Sequence, residues 1–340
     1  MAIIVHAFTD PARRAKALGS WAAITGVALA AGPVVGGVLT DTFGWRVIFL
    51  INVPVALFSA ALTSKLAPET GCNIKRSADI GGQLAAIVAL TGLTYGLIQS
   101  GPLGWSSPEI IGSLVVAVLA LAAFMSIEAR NEHRHGSPML PLTLFRSSTF
   151  SAGLFAGLLV NFGLSGVLFV LSLFFQQSRG YSAFVAGLAF LPLTLPTAFN
   201  PIFTGRLVAK IGPRLPAVVG FLLMAAGTLL LAPFTGGSAF DVVMTVVGLV
   251  LLGFGVSFAI PSLMMGVVSA VPKEQPGIGA GALNSARQTG SVLGVALLGS
   301  VFAAESSAAN GSAVALVIAG LLLLIGAVVV GAFFERAVKI

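Results

Sequence analysis

Residues 31–37 read Ala31-Gly32-Pro33-Val34-Val35-Gly36-Gly37, inside an apolar run from Leu18 to Thr40. That run is long enough to cross a bilayer. Pro33 has no N–H and crowds the preceding turn, so the helix is expected to kink there. Gly32, Gly36 and Gly37 leave one side of the helix without side chains, and Gly19 and Ala28 extend the pattern. A second helix can then approach closely. Such a helix suits a place where two bundles pivot or seal against each other. An ordinary packing helix presents the same face, because small-xxx-small patterns are widespread in membrane proteins.

Composition sets the class. The 340 residues are 57% hydrophobic and 9% charged, with a mean hydropathy of +1.02. No soluble domain of that size hides so much apolar surface from water. The 41 glycines agree, since glycine is more frequent in membrane helices than in soluble ones. A net charge of +7 raises the question of nucleic acid, but the basic residues are scattered through short loops, so no nucleic-acid partner is expected. The one cysteine, Cys72, excludes an internal disulfide. No stretch reads as a signal peptide with its cleavage site.

Hydropathy predicts an all-α polytopic protein with ten spans, at about 18–40, 46–66, 80–99, 109–128, 149–174, 182–204, 215–234, 242–270, 277–303 and 312–334. The eighth is longer than one crossing needs, so it is expected to tilt or to break near Pro261. Met1–Phe8 is apolar but reaches only about 13 Å as a helix, against about 30 Å of hydrocarbon. The chain is therefore expected to start inside a helix, as an N-terminally truncated protein does. If all ten segments span, fifteen Lys and Arg residues fall on one side, Arg46 and Arg179 on the other, and Arg287 inside a span. The positive-inside rule puts the first set in the cytoplasm.

Several stretches together carry a resemblance. Gly19, then Gly32-Pro33-x-x-Gly36-Gly37, Asp41 and Trp45-Arg46 resemble the antiporter signature of the fifth helix in major facilitator drug:proton exporters. Ala28 stands where that signature has its second glycine. Pro138-Met139-Leu140-Pro141-Leu142 with Leu144-Phe145-Arg146, and Gly187-Leu188-Ala189-Phe190-Leu191-Pro192, resemble segments of the fourteen-helix drug:proton antiporter family. Gly205-Arg206-Leu207-Val208-Ala209-Lys210-Ile211-Gly212-Pro213-Arg214 resembles its cytoplasmic basic loop, with Ala209 where an acid is frequent. Asn284-Ser285-Ala286-Arg287-Gln288-Thr289-Gly290 with Gly294 resembles the start of its thirteenth helix.

The resemblance implies a major facilitator fold in which the ten spans are family helices 5–14 and the first four have no counterpart. Residues 1–70 would then be a remnant of the N-terminal bundle, 71–130 two inserted helices, 131–148 a cytoplasmic linker and 149–340 the C-terminal six-helix bundle. It also implies a bacterial cytoplasmic membrane protein that exports small amphipathic or cationic compounds in exchange for protons, by alternating access. The partners implied are such a drug-like substrate, the lipid bilayer, and protons if the missing helices are present.

The residues add their own constraints. All eleven acids fall in loops or within about a turn of a span end, and His6, His133 and His135 lie outside the spans. A proton carrier usually places a titratable group in its pathway, so no proton site is evident. His133 and His135 fit a solvated loop better than a metal site, because no Cys or further His lies near them. No metal and no cofactor is expected. A cluster of catalytic groups and a Gly-x-x-x-x-Gly-Lys phosphate loop are both missing, which argues against an enzyme and against ATP-driven pumping.

The substrate-cavity candidates are Asn161, Phe162, Phe254, Phe258, Asn284, Arg287 and Gln288. Amides in lipid must find partners, either in helix–helix bonds or in a cavity. Phe254 and Phe258 are four apart and share a helix face, as an aromatic wall or as core. Arg287 is either a cavity-facing cation or a side chain snorkelling to the cytoplasmic interface. Ala282, Ala286, Gly290 and Gly294 recur every four residues beside it as a packing face. Three functions fit: an efflux carrier, a truncated membrane remnant that inserts without proton-dependent export or depends on a partner, and an integral membrane enzyme or assembly factor. The first is favoured as the inherited role.

Overall fold

The computed structural model describes Ile24, Val27, Ala28 and residues 31–66, 79–133, 140–233, 238–272 and 276–334. Gly19, Cys72, His135 and the N-terminal part of the first predicted span lie outside these residues. Among the described residues there is no strand. The helices are α1 (31–43), α2 (Arg46–Leu50), α3 (Asn52–Leu66), α4 (Ile80–Leu103), α5 (Pro108–His133), α6 (Ser148–Leu173), α7 (Ala183–Ala189), α8 (Leu191–Ile211), α9 (Arg214–Leu231), α10 (Ala239–Ser269), α11 (Pro276–Ala304) and α12 (Ala308–Phe333). A single 3₁₀ turn, Leu142–Arg146, precedes α6, and a π turn, Phe174–Ser178, ends it.

Seven of these segments are long and apolar enough to cross a membrane, and α7 with α8 makes an eighth that is bent by 47°. The expected single span at 182–204 is thus broken, at Phe190. Pro192 cannot donate to the Leu188 carbonyl, and its ring crowds that turn, so the helix restarts. Of the tilt or break expected for the eighth span, no break occurs at Pro261: α10 runs unbroken from Ala239 to Ser269. Neighbouring α8 and α9 pack along it and keep it straight enough to continue. At 29 residues α11 is long enough to cross, but it is less apolar than the other seven, because it carries Asn284, Ser285, Arg287, Gln288, Thr289 and Ser291.

Helices α6 to α12 share one core. Its closest joint is α6 against α11. A Cβ on Gly290 would overlap the Leu158 carbonyl, and one on Gly294 the Phe162 carbonyl, so two backbones touch over a full turn. The same device repeats elsewhere. Gly220 and Gly255 seat α9 on α10, and Gly253 seats α10 on the Leu193 carbonyl of α8. The α4–α5 hairpin is built alike, with Gly92 against the Ser113 carbonyl, and it joins the rest chiefly through α11. By contrast, α2 and α3 bury no side chain against other described residues.

Hydrogen bonds tie helix ends that the predicted topology puts on one side. Asn131 Nδ2 donates to Asp79 Oδ2 at 3.0 Å, linking the ends of α5 and α4. The Ser148 and Thr149 hydroxyls donate to the Phe333 carbonyl at 3.3 and 3.4 Å, and Arg214 donates to the Gly331 carbonyl. The predicted linker is less free than its polarity suggests. Glu132 accepts from the Leu142 and Thr143 N–H groups at 3.0 and 3.3 Å, and the fully buried Glu128 accepts from Leu140 N–H at 3.1 Å.

The glycine joints predict a contrast within one helix. A Cβ at Gly281 meets nothing within 4 Å. Gly281→Ala should be neutral, or stabilise by up to about 1 kcal/mol through helix propensity. Gly290→Ala should destabilise by about 1–3 kcal/mol, because two backbones must separate. Thermal melting of the detergent-solubilised chain reads the difference, and equal melting temperatures would contradict the packing.

Candidate functional site

Along α11 the polar residues form a belt rather than a stripe. Arg287 lies eleven residues after Pro276, or about 16 Å along the 29-residue helix, well inside it. Its Nε donates to Asn161 Oδ1 on α6 at 3.1 Å, and Asn161 is only 6% exposed. The arginine stem passes Gly157, where a Cβ would come within 3.3 Å of Arg287 Cγ. The side chain thus turns toward α6. One turn on, Ser291 donates to Ser165 of α6 at 2.6 Å. The two serines were not singled out in the sequence, because a lone serine in an apolar span carries no signal until its partner is known.

Asn284 and Gln288 do not join Arg287. They face the other way, into a cleft of about 200 Å³ between α11 and α4, together with Ser285, Thr289 and Thr94. The leucines Leu90, Leu93 and Leu97 of α4 form its opposite wall. Arg287 and Asn161 are therefore one unit, and the two amides are another. Phe162 is 5% exposed, with its carbonyl against Gly294, so it packs the α6–α11 joint.

The expected Phe254–Phe258 wall is also divided. Phe254 lines an open groove of about 430 Å³ between α10 and α8, where its aromatic neighbours are Phe199 and Phe203. Phe258 does not line that groove and is half-buried. Phe199 and Phe203 are four apart in α8, so the spacing that singled out Phe254 and Phe258 could have found them. At the edge of the groove Asn200 Nδ2 donates to Ser257 Oγ at 2.7 Å, closing α8 on α10.

The signature helix α1 meets the second group of helices at α7. A Cβ on Gly37 would sit 2.6 Å from the Ala183 carbonyl oxygen, and one on Gly187 would overlap the Pro33 carbonyl. Gly32 and Gly36 do not share this joint, for a Cβ there meets nothing within 4 Å among the described residues. Among the described residues, the joint with α7 uses Gly37 and the Pro33 carbonyl. Just beyond it, Asp41 accepts from the N–H groups of Phe184 at 2.9 Å and Ala183 at 3.1 Å. The Phe184 N–H, the Ser182 hydroxyl and the Ala183 N–H hold the Asp41 carboxyl below its ordinary value, against a smaller opposing effect of desolvation.

The expected cytoplasmic basic loop is mostly helix. Gly205, Arg206 and Lys210 belong to the last turns of α8, and only Gly212 and Pro213 turn the chain. Gly212 takes φ +81°, a conformation that favours glycine. Arg214 opens α9 and ties it to the end of α12. No group of three or more His, Cys, Asp or Glu residues among the described residues is placed to hold a metal.

Comparison with known proteins gives these features a setting. Residues 1–295 match the Major Facilitator Superfamily profile. The chain is 35% identical over 309 residues to the multidrug resistance protein Stp of Mycobacterium tuberculosis, covering 91% of this chain and 56% of Stp. It is 33% identical over 326 residues to the methylenomycin A resistance protein of Streptomyces coelicolor, covering 96% and 67%. It is 35% identical over 298 residues to the tetracenomycin C resistance and export protein of Streptomyces glaucescens, covering 87% and 54%. The chain thus spans between about half and two thirds of the length of these relatives. The match and the helical architecture together make it a multi-pass cytoplasmic-membrane member of the Major Facilitator Superfamily.

Proposed function

We propose that this chain serves as a secondary active exporter of the multidrug type, moving small amphipathic compounds outward in exchange for protons by alternating access. The observation that carries the reading is the Arg287–Asn161 pair between the interiors of α11 and α6. A charge in the hydrocarbon region is expensive and is retained where it faces a cavity or a partner. Relatives named for drug resistance and export support the same reading. In it, residues 1–70 belong to the first bundle, 71–130 to an inserted pair and 149–340 to the second bundle. Two bundles rocking about a midplane site supply the mechanism.

The site also narrows the substrate. Among the described residues the charge in the interior of the α6–α11 pair is a cation, and the acids Asp41, Asp79, Glu109, Glu128, Glu132, Asp241 and Glu305 sit near helix ends or between helices. A cationic drug therefore finds an arginine where a carboxylate would suit it. Uncharged amphipathic compounds, with hydrogen-bonding groups for the amides and hydroxyls of α11, fit better.

Inverted membrane vesicles containing the chain, given an imposed pH gradient, test this. A neutral fluorescent amphipath should be taken up faster than by vesicles lacking the chain, and a cationic dye should be handled less well. Arg287→Ala should lower the initial rate at least about tenfold, as loss of a buried charged partner does, and Arg287→Lys should recover part of it. Vesicles that move neither compound above background would overturn the proposal.

A further inference from the structure

Asp41 is the only carboxylate within residues 31–66 and 174–211, the two segments that meet at the α1–α7 joint. It stands at the end of α1 opposite the predicted cytoplasmic side, one residue past the predicted span, and is exposed. Its two oxygens engage two successive backbone N–H groups across 142 and 143 residues of sequence. The first N–H groups of a helix have no partner within that helix, so an acceptor placed there satisfies them. The backbone joint of Gly37 with Ala183, and of Pro33 with Gly187, lies directly beside it. Farther along α1, toward the predicted cytoplasmic side, Gly32, Val27 and Ile24 are exposed. Among the described residues, the close approaches of α1 to α7 lie beside Asp41.

We infer that Asp41 is an extracellular latch, a positioning residue whose ionised carboxylate holds α1 to α7 and must let go before a rocking carrier opens outward. This rests on the export reading for its role in transport, but the contact itself does not.

Among the described residues, the other charged or titratable side chains around the joint make ring contacts of their own. Arg46 stacks over the Trp45 ring at 4.8 Å, Arg179 lies over Phe174 at 5.5 Å, and Tyr181 stacks on Phe175. The hydrogen bonds that hold Asp41 also keep its carboxyl below its ordinary value. A depressed acid contributes its contact above that range and loses it only as pH falls through the lowered value. While it is engaged, the latch is therefore charged throughout the neutral and mildly acid range. Opening has to come from strain or substrate binding that pulls the carboxylate off its donors.

The test uses the full 340-residue chain in lipid nanodiscs with Cys72→Ser, and with spin labels at Phe43→Cys and Ser178→Cys. Pulsed electron–electron distance measurements report the joint. A single short distance is expected at pH 7.5 and at pH 5.5. Asp41→Asn should add a population longer by about 5 Å or more at both pH values, and Asp41→Glu should restore the short one. If Asp41→Asn does not fold, Asp41→Ala should show the longer population in its place. An Asp41→Asn distance, or failing that an Asp41→Ala distance, equal to the parent's would overturn the latch. Opening of the parent between pH 7.5 and 5.5 would overturn its fixed charge. Failed export with an intact, Asp41-dependent short distance would overturn the export reading and leave the contact standing.

Discussion

Inside a bilayer, burying leucine against leucine gives helices no reason to associate, because the lipid tails are equally apolar. What remains is contact close enough for dispersion, together with the few hydrogen bonds that hydrocarbon makes worthwhile. The α6–α11 joint supplies both. Gly290 and Gly294 let the two backbones touch, and the pairs Arg287–Asn161 and Ser291–Ser165 lie at the same level. Neither part is independent of the other. A side chain at either glycine would push α11 outward and move Arg287 off Asn161, leaving a charge in hydrocarbon without a partner.

The same joint explains how polar groups can encircle α11. One side is closed by α6, and the other is lined by α4 of the inserted hairpin, where Asn284 and Gln288 share a cleft with Thr94. A helix with polar side chains in both directions at mid-depth cannot face lipid on either. The hairpin of α4 and α5 reaches the main core chiefly through this helix, so the belt is also where an otherwise separate pair of spans is attached.

Much of this was legible in the sequence. Apolar length gave the helical membrane architecture, and the four-residue spacing around Arg287 picked out the face where Gly290 and Gly294 join α6. What stayed hidden depends on azimuth and on partners. Asn284, Arg287 and Gln288 are neighbours in sequence, yet a rotation of about 100° per residue sends them to different helices. Pro261 and Pro192 have the same chemistry. One sits in a helix held on two sides, and the other falls where the span can bend, so only packing tells them apart. Gly32 and Gly37 belong to one motif, but only Gly37 faces Ala183. Glu128 and Glu132 read as loop polarity, although they organise the backbone of the following turn.

The modest hydropathy of α11 bears on how the protein is made. Spans leave the ribosome in order, and an arginine near the centre of a span opposes its passage into lipid by about 2.5–3.5 kcal/mol on insertion scales. For α11 the acceptor is already in place, because α6, with Asn161 and the backbone that receives Gly290 and Gly294, precedes it by more than a hundred residues. Partitioning of this helix is then a pairing event rather than a solitary transfer. Biogenesis of the second bundle depends on an earlier helix waiting in the membrane with its amide unclaimed.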